Sequence, residues 1–220
     1  TSMIQMFQDC SSLLSLDLSS FYTSSVMDIR YMFYGCSSLR SIDLSNFMTS
    51  NITSMCGMFC GCYSLLSLNL SSFDTSNVID YNFMFYATIS LQSLDLSNFI
   101  TSKAKTMNMM FLGCSSLLSL DLSSFDTSQV TDLSYMFSGC TSLISLDLKN
   151  FETSSCGVFT SMFESCSSLI SLDLNSFTIE PNSNIGHIFY KINENLVLCF
   201  DETKANIISA LPESNKNNCT

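Results

Sequence analysis

The chain has a strict internal repeat: a segment close to GCSSLLSLDLSSFDTS, at residues 113–128, recurs every 26 residues. Related copies occupy 9–24, 35–50, 61–76, 87–102, 139–154 and 165–180, with no insertion or deletion between them. A unit this short cannot bury its own apolar side chains, whereas stacked copies can bury a continuous core. The strict period therefore predicts a solenoid.

Each repeat carries signals for a strand and for a short helix. Counted from the cysteine as position zero, the segment SLDLS alternates polar and apolar residues, which predicts a strand with Leu120 and Leu122 inward in the fifth copy. Asp, Ser or Thr at position 18 and Gly at position 25 are typical of the two ends of a helix. The predicted core of the fifth copy contains Leu120, Leu122, Phe125, Met136 and Phe137.

The spacing L-x-x-L-x-L, as in Leu13, Leu16 and Leu18, is that of leucine-rich repeats. The fuller text MFxGCSSLxSLDLSSFDTS resembles the BspA-like leucine-rich repeat over about residues 1–190. That resemblance implies a leucine-rich repeat fold. It also implies a secreted or cell-surface protein linked to adhesion, because members of the family in bacteria and protists are typically of that kind.

Together these patterns predict an α/β repeat fold, a right-handed solenoid of the leucine-rich repeat type with one parallel sheet and short helices opposite. Residues 1–190 are predicted to form seven to eight stacked repeats, and residues 191–220 a C-terminal capping coil and helix. Cys199 and Cys219 fall outside the cysteine column of the repeats, and a disulfide between them would hold this cap in place.

The residue inventory argues against catalysis. His187 is the only histidine, and no G-x-S-x-G or H-E-x-x-H motif accompanies it. The cysteine column is predicted to consist of buried free thiols, and the group Cys56, Cys60 and Cys62 lacks a fourth ligand for zinc. We therefore expect no enzyme activity, no cofactor and no metal.

Charge and hydropathy exclude two classes of partner. The net charge is −11 with only 8 Lys and Arg, which disfavours nucleic acid because phosphate binding needs basic side chains. The sequence has no run of about 18 apolar residues, so we expect no membrane insertion.

Position 7 carries an acidic row on the predicted outward face of the sheet. We expect mutual repulsion to raise the pKa values of its carboxyl groups. Two interpretations stay open: serine hydroxyls and water solvate the row, or the row is a strip that contacts a cation or a basic partner. The acidic row consists of Asp17, Asp43, Asp95, Asp121, Asp147 and Asp173, with Asn69 in the remaining copy.

Asn51, Asn69 and Asn218 stand in N-glycosylation sequons. Our leading hypothesis is a non-enzymatic extracellular or cell-surface solenoid for adhesion, with a protein or glycan ligand on the sheet face. The alternative is a structural subunit of a surface fibre or coat that stacks end to end. An intracellular scaffold is a third hypothesis, because free thiols suit a reducing compartment. Since the sequence opens inside a repeat, we also expect upstream repeats or self-association at that end.

Overall fold

The structure is a computed structural model that describes residues 1–200, and its coils repeat every 26 residues. Four strands lie on one side: β1 Ser119–Leu120, β2 Ser145–Leu146, β3 Ser171–Asp173 and β4 Val197–Cys199. They form one parallel sheet in the order β1-β2-β3-β4. Leu120 pairs with Leu146, and Leu146 with Leu172. The predicted repeat fold with a parallel sheet is confirmed.

The predicted short helices are wrong: residues 1–200 contain no helix. Positions 18 to 25 instead form overlapping turns, in which the Met136 N–H donates to the Leu133 carbonyl at 3.2 Å. The next N–H leaves its own coil, since Phe137 donates to the Met162 carbonyl of the following coil at 3.0 Å. An α-helix keeps its N–H groups within its own segment. Here, alternate N–H groups join neighbouring coils.

The residues at positions 18 and 25 that are typical of helix ends form turns in the structure. The Asp132 side chain at position 18 accepts the Ser134 N–H at 2.8 Å. Gly139 at position 25 has a left-handed φ of 72°, and Tyr135 at position 21 has a φ of 58°. Left-handed residues four apart cannot belong to one right-handed helix. The same residues that favour helix ends therefore form a run of turns.

Phenylalanines at position 23 stack in one column through the coils. Neighbouring ring centroids are 5.6 to 5.9 Å apart and the ring planes lie within 9° of parallel. The five residues predicted for the core of the fifth copy are all buried, which confirms the inward assignment. The column consists of Phe7, Phe33, Phe59, Phe85, Phe111, Phe137, Phe163 and Phe189.

Buried threonines at position 13 satisfy the backbone between coils. The Thr101 hydroxyl donates to the Asp126 carbonyl at 2.9 Å and accepts the Asp126 N–H at 2.8 Å. Thr153 makes the same two bonds to Thr178, at 2.9 and 2.8 Å. One hydroxyl thus serves both polar groups of a residue in the next coil, where an apolar residue would leave them unpaired.

The cysteine column is buried and free from Cys36 onward, as predicted, whereas Cys10 is exposed. Burial raises the pKa of the Cys36 thiol to about 11 and that of Cys166 to about 12. Such thiols stay protonated and react slowly.

The C-terminal segment is described only in part. β4 continues the parallel sheet beside β3. Cys199 is disulfide-bonded. Its predicted partner Cys219, the predicted capping helix and Asn218 lie outside the described residues, so the Cys199–Cys219 pairing and the cap stay predictions.

Candidate functional site

The acidic row lies on the exposed side of the strand column, with each aspartate between two inward aliphatic residues. Each carboxylate also closes a turn by accepting the N–H two residues on: Asp121 accepts from Ser123 at 2.9 Å. Asn69 accepts from Ser71 at 3.0 Å in the same way. Asparagine can replace aspartate in the row because its side-chain oxygen makes the same bond.

The expected direction of the pKa shifts in the acidic row is wrong. The pKa values are lowered in Asp17, Asp43, Asp95 and Asp121, chiefly by the backbone N–H that each carboxylate accepts. Repulsion between neighbours opposes this weakly, since the charge of Asp147 raises the pKa of Asp121 only slightly. Water screens the repulsion between exposed carboxylates, whereas the backbone N–H is in direct contact with the carboxylate. The hydrogen bond therefore has the larger effect on the pKa.

One member of the row is paired with a cation. The Lys149 ammonium lies 2.7 Å from the Asp147 carboxylate, and both side chains are exposed. The hydrogen bond from Lys149 lowers the pKa of Asp147. The pair is evidence that a basic group fits against the row, since Lys149 reaches a carboxylate that already accepts the backbone N–H.

An aliphatic row accompanies the acidic one in three consecutive coils, at position 4, three residues before the aspartate. Arg40 and Gln92 stand at this position before Asp43 and Asp95. Its members Leu118, Ile144 and Ile170 are 46 to 56% exposed. Their backbones form the ladder that leads into the strands, with the Ile144 N–H donating to the Leu118 carbonyl at 3.1 Å. Exposed aliphatic side chains in consecutive coils form a continuous stripe, and such stripes mark interaction surfaces.

A second surface lies on the run of turns, where positions 21 and 24 of each coil are presented. In the four coils from Tyr31 to Leu112 these residues line a groove of about 450 Å³, here named the turn-face groove. Its lining residues are Tyr31, Tyr34, Cys60, Phe83, Tyr86, Met109 and Leu112.

The turn-face groove exists because one coil has the small residues Gly57 and Cys60 at positions 21 and 24, whereas its two neighbours have aromatic residues there. Tyr31 and Tyr34 meet edge to face with centroids 5.9 Å apart, and Phe83 and Tyr86 do the same at 6.4 Å. Between the two pairs, Gly57 replaces an aromatic residue at position 21. A Cβ on Gly57 would lie 2.3 Å from the Tyr31 ring, so a side chain at this position would displace that ring.

The sequence analysis did not predict this groove, because its residues stand at variable positions of the repeat and not at the constant ones. The available signal was the changing identity of positions 21 and 24. These pairs are Gln5 and Gln8, Tyr31 and Tyr34, Gly57 and Cys60, Phe83 and Tyr86, and Met109 and Leu112.

The remaining predicted site residues are dispersed. Asn51 and Asn69 are exposed, and the Asn51 amide donates to the Ser24 carbonyl at 2.9 Å. His187 is exposed, as expected of a surface histidine, with its ring 5.4 Å from that of Tyr190. Among residues 1–200, no group of three or more His, Cys, Asp and Glu is placed to hold a metal. Nor does this part of the chain contain a helix able to cross a membrane.

Residues 1–119 and 90–197 match a family model described as "Mycoplasma protein of unknown function, DUF285". No curated protein matches the sequence.

Three solved structures of leucine-rich repeat proteins are similar in part. One from Bacteroides ovatus is 17% identical, with 97% of this chain and 85% of that chain covered and a TM-score of 0.31. One from Treponema pallidum is 18% identical, with 77% and 70% covered and a TM-score of 0.32. A cell-surface protein of Faecalibacterium prausnitzii is 18% identical, with 99% and 72% covered and a TM-score of 0.31.

Proposed function

The chain belongs to the DUF285 family, and from that premise we propose that it is a non-enzymatic recognition protein that binds a basic protein partner through its acidic and aliphatic rows. Its repeats are of the BspA-like leucine-rich kind, consistent with the family match. Recognition, with adhesion as its biological form, is a function that needs a regular surface and no reactive group.

The observation that carries this proposal is the pairing of the two rows in consecutive coils. Leu118 precedes Asp121 by three residues, and the same spacing recurs twice more, in Ile144 with Asp147 and Ile170 with Asp173. The pKa values of Asp121 and Asp147 are lowered, which favours their ionised form. A partner that buries its own apolar side chains on the aliphatic row therefore brings Lys or Arg side chains to the acidic row. Such complementarity speeds association and fixes register.

An extracellular or cell-surface location is part of the proposal. The Cys199 disulfide supports it, because disulfides persist in oxidising compartments. The exposed sequon residues Asn51 and Asn69 also support it. The free thiols of the cysteine column from Cys36 onward do not require a reducing compartment, since burial keeps them protonated and inaccessible to oxidants.

The test is selection of peptides from a random phage-displayed library against the immobilised 220-residue chain. The selected peptides should combine Lys or Arg with aliphatic residues. Binding should then weaken about tenfold in the triple variant Asp95→Asn, Asp121→Asn, Asp147→Asn, which removes three charges and keeps the turns, as Asn69 does.

The matched control is Asp74→Asn with Asp126→Asn. These carboxylates are also exposed and also accept an N–H two residues on, at 3.0 Å each, but they lie outside the acidic row. Equal losses in the control and the triple variant would contradict the proposal, as would peptides without basic residues. Sedimentation velocity on the same chain distinguishes the alternative of end-to-end stacking, which requires concentration-dependent growth.

A further inference from the structure

The turn-face groove has a neighbour on the same surface. A second hollow of about 260 Å³ is lined by Gln5, Gln8, Tyr31 and Tyr34. The Tyr31–Tyr34 pair is therefore a wall shared by both hollows. From coil to coil the surface presents amide side chains, an aromatic pair whose Tyr31 ring covers Gly57, the small side chain of Cys60, and a second aromatic pair. The two hollows together form one continuous surface from Gln5 to Leu112, here named the track.

We propose that this track binds a neutral oligosaccharide, at a site separate from the acidic row. The C–H faces of sugar rings pack on aromatic faces, and their hydroxyls need hydrogen-bonding groups beside those faces. Tyr34 and Tyr86 provide a ring and a hydroxyl each, and tyrosine is suited to such half-wet contacts. Gln5 and Gln8 provide amide donors and acceptors at one end.

The spacing of the aromatic pairs favours an extended chain over a single sugar. The Tyr31–Tyr34 pair and the Phe83–Tyr86 pair are two coils apart. At ~4.8 Å between neighbouring strands, this places the backbones of the two pairs roughly 10 Å apart. Two rings of an extended oligosaccharide span a comparable length, so alternate sugars would meet successive aromatic pairs. The sugar between them would lie over Cys60, beside the Tyr31 ring that covers Gly57.

The charge of the lining selects a neutral ligand. None of the seven residues of the turn-face groove carries a charge at neutral pH. The hydrogen bond with the Cys56 thiol and partial burial raise the pKa of Tyr31 to about 12, so its phenol stays neutral. The chain as a whole carries −11, which repels acidic polysaccharides. A cationic ligand would find aromatic faces in the groove but no carboxylate among its lining residues.

Isothermal titration calorimetry of the 220-residue chain tests the proposal with cellohexaose, chitohexaose, mannohexaose and hexagalacturonate. We expect at least one neutral hexasaccharide to bind and hexagalacturonate to bind more weakly. The double variant Tyr34→Ala, Tyr86→Ala should weaken that binding about tenfold, because two aromatic contacts are lost. Tyr34→Phe with Tyr86→Phe keeps the rings, so it should lose less.

Tyr22→Ala is the matched control, since Tyr22 is 92% exposed and lies outside the track. It should leave the affinity unchanged, as should Asp121→Asn, which separates this site from the acidic row. Circular dichroism melts of each variant verify folding. The proposal is overturned if no neutral hexasaccharide binds at millimolar concentration, or if the double alanine variant binds as well as the wild type. Tighter binding of hexagalacturonate or of tetramethylammonium would also overturn it.

Discussion

The Cys140 thiol donates a hydrogen bond to the carbonyl oxygen of Phe111, 29 residues earlier in the chain, over 3.2 Å. Cys114 makes the same bond to Phe85 at 3.1 Å. Thr88 stands in the cysteine column of the preceding coil, and its hydroxyl reaches the same Phe85 carbonyl at 3.0 Å. Cysteines such as Cys114 and Cys140 therefore pack as apolar side chains and also tie their coils to the one before, whereas Thr88 bonds within its own coil.

In the folded protein, Cys10 should react with thiol reagents much faster than the buried cysteines of the column. Ellman's reagent should modify Cys10 rapidly, because it is exposed, and residues such as Cys140 only as the protein unfolds. Cys10→Ser should abolish the fast phase. A second fast thiol assigned to Cys219 by mass spectrometry would contradict the predicted Cys199–Cys219 disulfide. Rapid labelling of Cys140 in the folded protein would contradict the packing described for the column.

Leu120→Ala should lower the free energy of unfolding by about 2–5 kcal/mol, because it leaves a cavity in the core between coils. Leu120 is 5% exposed. Leu118→Ala is the control: it removes the same atoms two residues away at a site that is 48% exposed, and should change stability by less than about 0.5 kcal/mol. Urea unfolding measures both. Similar losses in the two variants would contradict the assignment of the inward face.

Thr101→Val should cost about 1–3 kcal/mol, because it removes both hydrogen bonds to the Asp126 backbone and leaves those groups without a partner. Valine has nearly the shape of threonine, so packing changes little. Thr101→Ser keeps the hydroxyl and should retain more stability than the valine variant. Chemical unfolding of both proteins provides the measurement. A valine variant as stable as the serine variant would show that these inter-coil bonds add nothing.

Stability should fall in acid as the acidic row titrates. The folded pKa of Asp121 lies below its usual value of 3.8, so near and below that pH the unfolded chain binds more protons. The contribution is fully present above about pH 3.8 and is lost as the pH falls through the folded pKa. Asp121→Asn keeps the turn without titrating, so the wild-type stability relative to this variant should decline in the same range. An increase in the relative stability of the wild type on acidification would contradict this prediction and would indicate mutual repulsion between the carboxylates.

The candidate surfaces were predictable only where they follow the repeat. The period places Asp121 on the exposed row, but the sign of its pKa shift depends on a bond to the N–H two residues on, which backbone geometry sets. The turn-face groove was hidden for a related reason. It arises from the difference between Gly57 and the aromatic residues above and below it, and those become neighbours only when coils stack.

The sequence by itself determined the 26-residue register, the inward set that includes Leu120 and Phe137, and the parallel pairing of coils, because identical units can bury their apolar faces only against each other. Tertiary structure alone decided what the segment around Tyr135 becomes. Its polar and glycine ends favour a helix in isolation, yet the Phe137 N–H pairs with Met162 in the next coil. A stacked neighbour offers carbonyls that a single repeat lacks, so the backbone adopts left-handed turns that reach them.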